Sequence, residues 1–193
     1  MHGRQRIYDK IKKYTTLNYN SQKAFFMKHL IIIASIAIGF ISCTNSDDNK
    51  QKAHLAIAKK YMEAVETGNV ATMDSLLADN YKGYGPSVGD STNKADAIKS
   101  WKDNVENLYE SIKYDRHKEL AVTVTEGNGQ GDWVLNWALL SIKYKDGRGP
   151  VHVYVSAIYR LENGKIVHSI TFYNEADVLR QLGYAMLPAE DLE

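Results

Sequence analysis

Few side chains in this sequence can move a proton near neutral pH. The chain has six histidines and one cysteine among 193 residues. His168 lies in the alternating run IVHSITFYN. Alternation groups it with Ile166, Ile170, Phe172 and Asn174 on the more apolar side of a strand, the side that should meet the core. An inward imidazole there is the one candidate for a general base. The simpler reading is a packing histidine. YDRH puts Asp115 two residues before His117, a spacing that on one strand side can tune an imidazole or merely form a surface ion pair. His152 falls on the polar side of its strand. No His/Cys/Asp group has metal-ligand spacing, and no nucleophile elbow is present. GYGPSVG carries glycines without a helix start at phosphate-loop spacing, so it reads as a mobile rim loop on which Tyr84 could close over a ligand. No metal or cofactor is expected.

Asn174 stands where alternation gives way to helical spacing, in GKIVHSITFYNEADVLRQLGY. An amide does not shuttle protons near neutral pH, though it can hydrogen-bond a ligand. It can also accept the N–H of Asp177 as a helix N-cap. The cap is the first expectation, and one amide could serve both roles.

The elements that must hold these groups follow from periodicity. Ile57, Tyr61 and Val65 form an i, i+4 stripe on a helix over about residues 51–67. Gly68 suits its stop, and Asn69 can cap a short helix marked by Val70, Met73, Leu76 and Leu77. A brief strand and loop precede a third helix opened by Thr92 or Asn93, with Ile98, Trp101, Val105 and Leu108 as its buried face. Beyond Tyr109 the period becomes two, and four strands form a meander. ENGK is a hairpin signal, because Asn-Gly accepts the positive φ angles of a type I′ turn. Helices first and strands after make an α+β domain.

YMEAVETGNVATMDSLLADNY, IYRLENGKIVHS and FYNEADVLRQLGY, in the order α-α-β-α-β-β-β-β, resemble the SnoaL-like branch of the nuclear transport factor 2-like superfamily. The resemblance spans roughly residues 51–184. It implies a cone-shaped, curved antiparallel sheet wrapped around the N-terminal helices, with a pocket open at one end. Members include polyketide cyclases, isomerases, dehydratases and many proteins without known catalysis, so the fold leaves function open. Aligning RQLG places Asn174 where many relatives carry Asp, a departure that counts against cyclase-type catalysis.

In such a cone the pocket is expected to be lined by Tyr61, Tyr81, Trp101, Trp133, Trp137, His168, Phe172 and Asn174. This lining would suit a small apolar or planar molecule. On the strand Pro150–Leu161, Val151, Val153, Val155, Ala157 and Tyr159 should face in. On the preceding strand Trp133, Leu135, Trp137 and Leu139 are placed inward, although both of its sides are largely apolar. Asn136, Tyr154 and Tyr173 then fall on an outer face expected to meet a second copy in a homodimer.

The ends of the chain carry a different message. Residues 1–42 hold seven Lys/Arg and one Asp, leaving 17 basic and 22 acidic residues from Cys43 onward, a net of −5. A mildly acidic domain without basic clusters is a poor nucleic-acid binder. The apolar run LIIIASIAIGFI covers 12 residues, against roughly 20 for a spanning helix. Met27, Lys28 and His29 precede it as a basic n-region, so it reads as a signal peptide. FISC resembles a bacterial lipobox, with Phe40 in place of the usual Leu, and implies lipidation of Cys43. Residues 1–42 are then a leader, of which 1–26 are either an untranslated extension or a long n-region. Residues 43–50 are a lipidated flexible tether, and 51–193 the domain. The expected location is the cell envelope, with outer-membrane attachment through the lipid alone and a periplasmic or surface face.

Three readings remain open at this point. The first is a lipid-anchored, non-catalytic binding module. The second is a cyclase, isomerase or dehydratase using acid–base chemistry. The third is a protein-interaction domain using its sheet face.

Overall fold

The stripe Ile57, Tyr61 and Val65 lies on helix α1, residues 47–66 of the computed structural model, which describes residues 47–185 and residue 187. Residues 47–50, expected in the flexible tether, are helical. The fold lies in the compact unit that begins at Lys50. Gly68, at φ +65°, ends the helix as its position foretold. Asn69 then caps helix α2 (Val70–Leu76) by accepting the Thr72 N–H at 2.9 Å. Strand β1 (Leu77–Tyr84) follows, and a loop leads to β2 (Ser91–Asn93). Asn93 caps α3 (Lys94–Asp103) by accepting the Asp96 N–H at 3.0 Å. A π-helical turn, Asn104–Leu108, prolongs α3. Its wider winding takes Leu108 off the buried stripe, so Leu108 is exposed whereas Ile98 and Trp101 pack on the core.

Four long strands come next: β3 (Tyr109–Val124), β4 (Gly131–Tyr144), β5 (Val151–Glu162) and β6 (Lys165–Tyr173), closed by helix α4 (Glu175–Gln181). The sheet order is β2-β1-β6-β5-β4-β3 and the sheet does not close. Neighbours pair antiparallel except β1 and β6, which run parallel. The expected meander is thus present, with β1 and β2 extending it beyond β6. The β5–β6 turn has Asn163 at φ +50° and Gly164 at φ +75°, the conformation the Asn-Gly pair allows. Met73, Leu77, Val134, Val151, Leu161 and Ile166 are the largest fully buried apolar side chains.

Two irregularities decide which side chains face inward. In β6, Ile166 pairs with Leu161 but His168 pairs with Arg160, so two residues advance on β6 against one on β5. This bulge reverses the alternation past Ile166. Ser169, Thr171 and Tyr173 therefore join Tyr159, Ala157 and Val155 on the inner face. His168, Ile170 and Phe172, expected inward by unbroken alternation from Ile166, face out.

In β4 the expected phase is likewise inverted. Val134, Asn136, Ala138 and Ile142 are buried, opposite Tyr159, Ala157, Val155 and Val151. Trp133, Leu135, Trp137 and Leu139 lie on the outer face. Size misled here, because the smaller set fits beneath the helices. A second bulge lies between Asp115 and Lys118, with Arg116 at φ +51°. It breaks the Asp115–His117 alternation, and the acid nearest His117 is Glu119, at 3.8 Å.

Candidate ligand-binding cavity

Between the inner face of the sheet and the helices lies a cavity of about 300 Å³. Seven of its lining residues are tyrosines: Tyr61 from α1, Tyr81 from β1, Tyr109 and Tyr114 from β3, Tyr144 from β4, Tyr159 from β5 and Tyr173 from β6. Trp101, Asn104, Ser169 and Thr171 add polar atoms, and aliphatic side chains such as Val153, Val155 and Leu140 complete the wall. The tyrosines brace one another. Tyr61 meets Tyr159 edge-on with centroids 5.9 Å apart, and Tyr109 meets Tyr144 at 5.6 Å.

One hydrogen bond ties the parallel edge of the sheet to the cavity. The hydroxyls of Tyr81 and Ser169 are 2.7 Å apart and buried. Gly83 makes room for it, since a Cβ there would lie 2.5 Å from the Tyr81 hydroxyl. Beyond this pair is a second recess of about 300 Å³, bordered by Tyr84, Gly85, Asp90, Ser91 and Thr92 and sharing Tyr81, Ser169 and Thr171 with the cavity. Gly85, at φ +93°, lets the loop descend onto β6: a Cβ there would meet the Thr171 carbonyl oxygen at 2.2 Å.

Burial governs the chemistry of the lining. It pushes the phenols of Tyr61, Tyr114 and Tyr159 well above the ordinary tyrosine range and that of Tyr109 up to about 12. All therefore stay neutral, each able to donate and to accept a hydrogen bond. The described lining contains no carboxylate, imidazole or amine. Such walls can stack against and hydrogen-bond a guest. They offer no group that titrates near neutral pH for general acid–base catalysis.

Of the residues expected in the pocket, Tyr61, Tyr81 and Trp101 line it. Trp133, Trp137, His168 and Phe172 sit on the opposite face of the sheet. Asn174 is at the end of β6, where its side-chain oxygen accepts the Asp177 N–H at 3.1 Å as the cap of α4. Cys43 lies outside the described residues. Five cavity tyrosines went unnominated. Tyr159 was already on the inward phase of its strand, and tyrosine is the commonest aromatic, at 13 residues. That abundance on strand positions was the available signal.

His168 is held on the outer face by Tyr84, with ring centroids 4.9 Å apart, and by Trp133 at 6.1 Å. Its Nε2 is buried without a hydrogen-bond partner among the described residues, as is Nε of its cross-strand neighbour Arg160. Desolvation, with a smaller repulsion from Arg160, lowers its pKa.

A family model described as a SnoaL-like domain matches residues 58–169. No curated protein matches the chain. Among solved structures, a suspected isomerase from Bacillus subtilis is 15% identical with a TM-score of 0.54, over 71% of this chain and 97% of its own. An NTF2-like protein from Burkholderia xenovorans LB400 is 14% identical with a TM-score of 0.52, over 68% and 97%. A suspected polyketide cyclase from Pseudomonas putida KT2440 is 15% identical with a TM-score of 0.52, over 65% and 95%. At these identities the likeness is one of fold.

The environment of His168 has a measurable consequence. Its folded-state pKa lies below the ordinary value of about 6.5, so the unfolded chain takes up this proton first as pH falls. The neutral imidazole thus supports the fold above that value, and the support is lost on acidification through it toward the lower folded pKa. Urea midpoints at pH 7.5 and 5.5 should show a smaller acid-induced loss in His168→Gln than in the parent. An equal loss in both would contradict this environment.

Proposed function

The chain belongs to the SnoaL-like domain family, and on that premise we propose that it is a small-molecule-binding module rather than an enzyme. The supporting observation is the cavity wall: seven neutral tyrosines and a tryptophan around about 300 Å³, with no side chain poised to exchange protons at neutral pH. The guest is a small, largely apolar or planar molecule held by aromatic contact and a few hydroxyls. Nothing in the described residues gathers three or more potential metal ligands.

Two further parts of the proposal concern context. The protein is a lipoprotein of the bacterial cell envelope, anchored through Cys43 and exported by the preceding apolar segment. What supports this is the basic–apolar–small–Cys order in the leader; no described helix is long and apolar enough to cross a membrane. The domain pairs with a second copy through the outer sheet face. Trp137, Tyr154 and Phe172 lie there, 43%, 73% and 49% exposed, over half-buried Leu135, Leu139, Ile158 and Ile170. An uncovered face of this composition favours a partner. Asn136 and Tyr173, which alternation alone places on that surface, belong to the inner face, so the proposed dimer patch is more apolar than expected.

Three measurements test these statements. Ala157 lines the cavity between Asn136 and Thr171, and Ala157→Phe should fill it. The neutral planar probe N-phenyl-1-naphthylamine should brighten on binding the parent and bind Ala157→Phe at least tenfold more weakly, with Trp137→Glu unaffected. If the parent does not bind, or Ala157→Phe binds equally, the module reading fails. Cys43→Ser should leave the envelope fraction, and its retention there would end the lipid-anchor reading. In sedimentation, Trp137→Glu should shift a parent dimer to monomer; a monomeric parent at micromolar concentration would remove the proposed pairing.

A further inference from the structure

Resting on the small-molecule reading, we propose that the guest of the inner cavity is an organic cation, of the alkylated-ammonium class, rather than a neutral molecule or an acid. Three independent features of the cavity lead there.

The first is the wall itself. Aromatic faces carry negative potential and attract cations, most of all where water is excluded. Tyrosines and Trp101 dominate the lining, and no lysine, arginine or histidine is part of it. An acid entering this space would lose its hydration and find no positive partner.

The second is the set of unused atoms behind the wall. Glu119 and Asn136 are a cross-strand pair, and Asn136 in turn faces Ala157 of the lining. Asn136 is fully buried; its Nδ2 donates weakly to the Lys118 carbonyl at 3.4 Å, and its Oδ1 has no donor among the described residues. Glu119 Oε1 is also buried without a donor, since His117 at 3.8 Å is too distant for a hydrogen bond. Both orphans on the inner side are acceptors. The orphaned guanidinium nitrogen, Arg160 Nε, is on the residue that pairs with Trp133 and His168 on the other face.

The third is the surrounding charge. After burial, which dominates, carboxylates raise the tyrosine pKa values at several points: Glu119 acts on Tyr159, Glu66 on Tyr114, and Glu175 and Asp90 on Tyr173. Only Tyr144 feels a cation, Arg148, whose guanidinium is engaged by Asp146 at 2.7 Å. Carboxylates therefore outnumber cations beside the lining tyrosines, which favours a positive guest.

The test compares isosteres on the purified full chain by protein-observed NMR titration. The probes are phenyltrimethylammonium, its neutral isostere tert-butylbenzene, and the anion benzoate. The cation should bind at least tenfold more tightly than the isostere, and benzoate most weakly. Glu119→Gln should shrink the cation-to-isostere ratio at least threefold. Asp90→Asn, on the exposed loop, should shrink it in the same direction and serves if Glu119→Gln does not fold. An isostere that binds as well as the cation, or a ratio unmoved in both variants, overturns the charge assignment and leaves the binding reading standing. If none of the three binds, the charge assignment falls too, while the naphthylamine result decides separately whether the cavity binds anything.

Discussion

The cavity depends on a single extra residue in β6. Leu161 pairs with Ile166, yet Arg160 pairs with His168, and the residue gained at Val167 turns the rest of the strand over. Without that bulge, Ser169, Thr171 and Tyr173 would point away from the helices, and His168 and Phe172 would occupy the interior. The hydroxyl pair of Ser169 and Tyr81 could not form, and β1 would lose its polar tie to the sheet centre. The same extra residue that turns Ser169, Thr171 and Tyr173 into the cavity turns the imidazole of His168 out of it. That no imidazole is part of the described lining is thus a consequence of register.

The sequence was legible wherever a local rule applied without interruption. The Asn-Gly turn, the Asn69, Asn93 and Asn174 caps, the Gly68 stop and the inward phase of β5 all follow from short-range chemistry, and all are present. What could not be read was the effect of defects in periodicity. A bulge shows no composition of its own in IVHSITFYN, so alternation from Ile166 continued to the wrong face. In β4 both phases are apolar, and preference for the bulky set sent Trp133 and Trp137 inward. The inner layer instead takes the smaller Val134 and Ala138, both buried. Of the candidate site, the contributions from α1, α3 and β1 were legible, and those from β3, β4 and β6 were not.

The two faces of the sheet separate two physical demands. The inner face concentrates tyrosines, whose rings supply area while their hydroxyls remain neutral under burial. The outer face concentrates tryptophan, phenylalanine and aliphatic side chains that water still reaches. Charge divides the same way: Arg160 lies outside, and Glu119 inside beside Asn136. A molecule entering the cavity meets aromatic faces and neutral hydroxyls, with the unpaired acceptors of Glu119 and Asn136 behind them. A protein approaching the convex side meets an apolar surface. Both can be occupied at once, because the sheet stands between them.

The central claim is that the tyrosine-lined cavity holds a small molecule. Native mass spectrometry of the protein purified from its native source tests that most directly, since it needs no prior guess at the guest. The account predicts a discrete small-molecule mass retained at one per domain and released on denaturation. A protein that repeatedly appears at the mass of its covalent chain alone, with no small molecule bound, would contradict it.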